Sequence, residues 1–87
     1  MKFTVYVTRR SIDIEGSKAF YYKPHRVKYY ETEADSLLDA MAKFAKDEKK
    51  LIKSNEKLGW TTTHTANGFI MRNGDYIDEY TDISFNS

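Results

Sequence analysis

The sequence predicts an α+β domain: an antiparallel sheet with one long amphipathic helix packed on one face, in the order β-β-α-β-β-β. Three observations predict it. A capped stretch with helical periodicity opens at Ser36 and runs towards Gly59. The residues before it alternate apolar and polar, as half-buried strands do. After it, two Asn-Gly dipeptides, Asn67-Gly68 and Asn73-Gly74, cut the last third into short β-prone segments. Strands, one helix and more strands bury their apolar faces as a helix laid across a sheet. At 87 residues the chain is a single domain, residues 1–87, with no repeat or linker.

The helix is the most sharply defined element. Ser36 is an N-cap whose hydroxyl accepts from an orphan backbone N–H, and Asp39 stands where a capping box reaches back. Ala, Leu, Met and Lys fill the next turns, all strong helix formers. Gly59 is a C-terminal stop, with Ser54-Asn55 as an earlier alternative. At 100° per residue, Leu37, Met41, Phe44, Leu51, Ile52 and Leu58 share one broad face, and Lys43, Lys46, Lys50, Lys53 and Lys57 lie nearly opposite. Glu48 and Asn55 interrupt the apolar face, so the helix is expected to overhang the sheet beyond Ala45. The other arrangement pairs Glu48 with a Lys, Arg or Tyr side chain from a strand. Asp39–Lys43 and Asp47–Lys50 neutralise part of the lysine stripe locally, which makes it a solvated face rather than a binding one.

In the first strand Phe3, Val5 and Val7 alternate with Thr4, Tyr6 and Thr8, and Arg9-Arg10 end it. Ser11–Lys18 reads as a loop or wide turn. Residues 20–33 form one bent strand or a short hairpin interrupted at Pro24, since proline is confined to edges, bulges and strand starts. Beyond the helix, residues 60–66, Phe69–Arg72 and Asp75–Phe85 form a three-strand meander. Both turns carry the type I′ signal, and Arg72 faces Asp75 across the second.

Net charge is only +1, but it is segregated. Residues 1–30 hold seven Lys/Arg against two acids, and residues 59–87 hold one Arg against four acids. There is no cysteine, which excludes disulfide and thiolate chemistry and fits a reducing compartment. The alternating N-terminal segment has no apolar h-region, and no run approaches membrane-spanning length. A cytoplasmic protein without membrane partners is expected.

The catalytic search returns little. His25 and His64 are far apart in sequence, and no serine sits in a nucleophile motif. There is no phosphate-binding glycine loop, and neither a metal nor another cofactor is expected. Asp75, Asp78, Glu79 and Asp82 cluster within eight residues. They lack Ca²⁺-loop spacing, and alternation sends Asp78 and Glu79 to opposite faces. As a binding set they would meet a basic site on a protein partner. The stretch Phe20–Tyr30 mixes tyrosines with cations. Arg9, Arg10, Lys23, Arg26 and Lys28 could hold phosphates while Tyr22 or Tyr30 stacks on unpaired bases. Tyrosine and arginine also anchor protein interfaces.

The layout Val27-Lys28-Tyr29-Tyr30-Glu31-Thr32-Glu33-Ala34-Asp35-Ser36-Leu37-Leu38-Asp39-Ala40, followed by an Asn-Gly hairpin, resembles small accessory proteins of phages and mobile elements, anti-CRISPR inhibitors among them. The resemblance is of architecture and implies no particular binding residue. It implies a non-enzymatic protein that blocks a host nucleic-acid-processing complex through surface contacts, its partner being a host protein or a protein–nucleic-acid complex. The alternative function is a single-stranded RNA or DNA binder using the basic aromatic strand.

Overall fold

A computed structural model describes every residue, Met1–Ser87. The elements run β1 (Lys2–Glu15), β2 (Lys18–Tyr21), β3 (His25–Glu33), α1 (Leu37–Glu56), β4 (Thr61–Thr65), β5 (Gly68–Asn73) and β6 (Tyr76–Asn86). All pairings are antiparallel. The order across the sheet is β2-β1-β6-β5-β4, with β3 also paired to β1. This is the predicted α+β class, an antiparallel sheet with one helix packed against it; the stretch expected as one bent strand or a short hairpin is two strands, β2 and β3, so three strands precede the helix.

β1 is longer than the sequence reading allowed. It continues through Arg9 and Arg10 to Glu15 and turns at Gly16-Ser17 into β2. Two arginines do not end a strand whose period-2 pattern resumes at Ile12 and Ile14. Gly16 takes φ +61 at the first turn position, the pattern of a type II′ hairpin, so a tight turn replaces the expected loop. β2 pairs with Ile12–Glu15 and β3 with Lys2–Arg9, both along the edge of β1 that faces away from β6. Residues 18–33 are therefore one edge, broken around Pro24.

The meander of β4, β5 and β6 forms as expected, but its turns are not type I′. Ala66 and Asn67 both keep negative φ, and Gly68 is already in β5. A Cβ on Gly68 would lie 1.9 Å from the Tyr80 carbonyl oxygen, so close strand approach demands this glycine. At the second turn only Gly74 has positive φ, which is again the type II′ pattern. Arg72 does not pair with Asp75 there; its Nε donates to the Gly74 carbonyl at 2.8 Å.

The helix begins as predicted. The Asp39 backbone N–H donates to Ser36 Oγ at 3.1 Å, and the Asp39 carboxylate accepts from the Asp35 N–H. It ends at Glu56, and the Asn55 carbonyl accepts from both Leu58 and Trp60. Its packing face is rotated from the expected one. Leu37, Met41 and Leu51 are about half exposed and Leu58 more so, whereas Ala40 is fully buried against Phe3 and Ala34. The inward ridge runs Ala40, Phe44, Glu48, Ile52, Asn55. The expected overhang past Ala45 does not occur: Glu48 turns inward and meets His64 of β4 at 3.4 Å.

The core lies between α1 and one end of the sheet. Phe3, Val5, Val7, Phe69 and Met71 are buried there. Around them Phe44 packs on Tyr29 (6.0 Å), Tyr30 (5.4 Å) and Phe85 (5.4 Å), and Phe69 stacks on Tyr80 at 4.6 Å. A β-bulge makes this possible. The register skips Tyr29 between Val5↔Tyr30 and Tyr6↔Lys28, so adjacent tyrosines both turn towards Phe44. A second bulge in β6 holds Asp82 at φ 52, a conformation that aspartate tolerates better than most residues.

Candidate binding surface

The helix covers one half of the sheet. The other half is an arm made of β1 from Arg9 to Glu15, β2, and the segment leading into β3. Its helix-side face is an open groove of about 620 Å³ lined by Arg9, Ser11, Asp13, Tyr22, Lys23, His25, Val27 and Tyr76. No α1 residue lines it. The alternation of β1 places Arg9, Ser11 and Asp13 on this face, because Phe3, Val5 and Val7 already point there. Across the sheet, Arg9 stands opposite Tyr80, Ser11 opposite Asp78 and Asp13 opposite Tyr76.

The groove floor is a polar network. Asp78 is 6% exposed. It accepts from Ser11 Oγ at 2.8 Å and lies 3.6 Å from the Arg9 guanidinium. Ser11 Oγ is also 3.1 Å from the Tyr76 hydroxyl. The Tyr22 hydroxyl donates to Asp13 at 2.7 Å, a bond that pushes the phenol's pKa up. At the covered end of the floor, burial pushes the Tyr80 phenol up, and the Asp78 charge adds to it. Ser11 thus donates its hydrogen bond to the Asp78 carboxylate that anchors it, and His25 makes no hydrogen bond to it. The groove offers fixed hydrogen-bonding groups and, at its rim, Lys23 and His25.

On the outer edge of the arm, Phe20, Tyr21 and Tyr22 are 46%, 64% and 53% exposed. Behind them Arg10 lies over the Tyr21 ring at 5.0 Å and pairs with Glu79 at 2.7 Å. The uncovered face of the sheet carries a shallower groove of about 370 Å³, lined by Ile12, Ile70, Ile77, Thr61, Thr63, Arg72 and Glu79.

The acidic set from the sequence does not form one surface. Asp78 is buried on the groove side, whereas Glu79 points to the opposite face and is paired. Asp75 and Asp82 are exposed at the hairpin turn and at the bulge. The basic set divides as well. Arg9, Tyr22 and Lys23 share the groove. Tyr30 lies under the helix and donates to Asp47. Arg10, Arg26 and Lys28 face the uncovered side. There Arg26 binds Thr8, Ser84 and the Asp82 carbonyl, and Lys28 pairs with Glu31 at 2.9 Å. That pairing holds the Glu31 carboxyl below its ordinary pKa and raises that of Lys28. Sequence reasoning missed Ser11, Asp13 and Tyr76 as groove residues, because it ended β1 at Arg10. The Ile12/Ile14 alternation was the available signal.

The class that fold and surface define is a small six-stranded α+β domain with one long helix and a half-uncovered sheet. No helix is long and apolar enough to cross a membrane. No protein-family model matches the chain, and neither a curated protein nor a solved structure matches it.

Proposed function

We propose that this chain is a non-enzymatic protein-binding module that uses the uncovered arm as its contact surface. One observation carries the reading: three consecutive aromatic side chains, Phe20 and Tyr21 on the edge strand β2 and Tyr22 just past its end, stand exposed beside Arg10 and Lys23. Aromatic and arginine side chains dominate binding energy at protein interfaces, where their large rigid surfaces lose little entropy on docking. The proposed partner is a host nucleic-acid-processing complex of the CRISPR kind in the cytoplasm, with this chain as its inhibitor. That part of the proposal rests on the resemblance of layout to phage accessory proteins. The acidic strand becomes a lesser contributor, since only Asp75 and Asp82 remain free of partners on the surface.

Affinity capture from host lysate tests the proposal, with the unaltered chain and Tyr21→Ala compared before and after nuclease treatment. A specific protein that survives nuclease and is lost with Tyr21→Ala is the expected result. Circular dichroism of the variant should match the unaltered chain. Capture that is unaffected by Tyr21→Ala removes the arm from the interface.

A second reading has its own observation: Arg9, Tyr22, Lys23 and His25 share the groove, where a phosphate and a stacked base could lie together. In this reading the chain binds single-stranded RNA or DNA, and affinity falls steeply as salt rises. A labelled-oligonucleotide titration at low and moderate salt separates it from protein binding.

A further inference from the structure

The two outer edges of the sheet are built differently. The β2–β3 edge is broken by Pro24, bulged at Tyr29 and studded with Lys18, Arg26, Lys28, Glu31 and Glu33. Such devices block edge-to-edge pairing. The β4 edge has none of them. It reads Thr61-Thr62-Thr63-His64-Thr65, pairs in unbroken register with β5, and is exposed at every residue but Thr62. The two-residue connection Ala66-Asn67 makes Thr65 and Gly68 the hydrogen-bonded pair that closes the hairpin. Antiparallel alternation then commits the backbone groups of Thr61, Thr63 and Thr65 to β5, while Thr62 and His64 direct theirs outwards.

We propose that β4 pairs antiparallel with β4 of a second copy about a two-fold axis at Thr63, joining two sheets into one. In this register Thr62 and His64 of the second copy face each other and exchange backbone hydrogen bonds. On the uncovered face, Thr61 meets Thr65 of the second copy and Thr63 meets its own counterpart, and cross-strand threonine pairs are favourable. On the helix side Thr62 stands opposite His64 of the second copy, whose Nε2 engages Glu48 of its own chain. Because Thr61 and Thr65 are both threonine and Thr63 meets itself, the run is complementary to its own reverse, which points to a second copy rather than to another protein's strand. The aromatic arms then lie at the two far edges of the joined sheet, where one partner assembly could engage both.

Sedimentation or light scattering reads the outcome directly. The unaltered chain should approach twice its 10.2 kDa mass as concentration rises, with the Thr62 and His64 amides slowed in hydrogen exchange. Thr63 is exposed on the uncovered face, so T63K and T63E should keep the fold and melting behaviour while each returns to the single-chain mass. Mixed in equal amounts, the two variants should restore the doubled mass, since lysine then stands opposite glutamate across the axis. A single-chain mass for the unaltered protein up to about 1 mM overturns the proposal. So does a T63K variant that remains dimeric, or a T63K–T63E mixture that remains monomeric.

Discussion

The covered and uncovered halves of this sheet share β1, yet they are held by different forces. Under the helix, β1 contributes Phe3, Val5 and Val7, all buried, with Phe3 clustered with Ala34 and Ala40 and Phe85 packed against them. Beyond Val7 the same face carries Arg9, Ser11 and Asp13, held by Asp78, Tyr76 and Tyr22. Apolar burial contributes roughly 25 cal/mol per Å² removed from water. A hydrogen bond contributes on the order of 1 kcal/mol net, because both partners surrender bonds to water. The covered half therefore carries most of the stability. The arm is fixed in shape by backbone pairing and a polar network, and its aromatic rings remain available to a partner.

Removing the centre of the covered half should produce the largest effect. Phe44, the only aromatic residue of α1, joins the helix to Tyr29, Tyr30 and Phe85. Phe44→Ala should destabilise the fold by about 3 kcal/mol, less than the upper end for a fully enclosed ring because Phe44 is only partly buried. A fall in the denaturation midpoint with an unchanged slope is the expected observation. An unchanged midpoint would shift the weight of the fold away from the helix.

The corresponding change in the arm should cost less. Asp78→Ala leaves the Ser11 hydroxyl with only Tyr76, and leaves the Arg9 guanidinium unpaired but 44% exposed, so water replaces part of what it loses. A loss of about 1–2 kcal/mol is expected from chemical denaturation. A loss larger than that of Phe44→Ala would reverse the comparison and make the polar floor the stronger of the two supports.

The two halves also differ in how much of them was legible in the sequence. The class, the Ser36 cap, the alternation of Phe3–Val7 and the meander all follow from local periodicity and capping. The packing ridge of α1 did not, because a helical wheel ranks side chains by hydropathy, whereas closest approach selected Ala40, the smallest. Glu48 was misplaced for a related reason, since its partner His64 is supplied by a strand 16 residues away. In the arm, reading Arg9-Arg10 as a stop hid Ser11, Asp13 and their opposites on β6. Charge patterns in the sequence could not show that strand alternation splits both candidate sets between two faces. Asp78 and Glu79 illustrate this: adjacent in the chain, one is buried under the groove and the other pairs with Arg10 behind it.

The smallest effect, and the sharpest probe of the boundary between the halves, lies at Tyr29. Its ring touches Phe44, Phe69 and Tyr80. Burial pushes its phenol pKa well above the ordinary value of about 10, and the neighbouring Glu48 charge adds to the shift. Because the folded value exceeds the unfolded one, the neutral phenol favours the fold. That contribution is complete below about pH 10 and is lost as pH rises from there through the folded value. Stability should therefore hold across neutral pH and decline in alkali. Tyr29→Phe keeps the ring and removes the ionisation, so it should leave the neutral-pH midpoint within about 0.5 kcal/mol and flatten the alkaline decline. Tyr22, exposed on the arm and raised chiefly by its bond to Asp13, provides the contrast. Tyr22→Phe should leave most of the alkaline decline in place, because the loss at high pH comes mainly from the rings that the helix covers. Denaturation curves for both variants at neutral and alkaline pH measure the difference. An alkaline decline that disappears with Tyr22→Phe and persists with Tyr29→Phe would place the pH-sensitive contact in the arm.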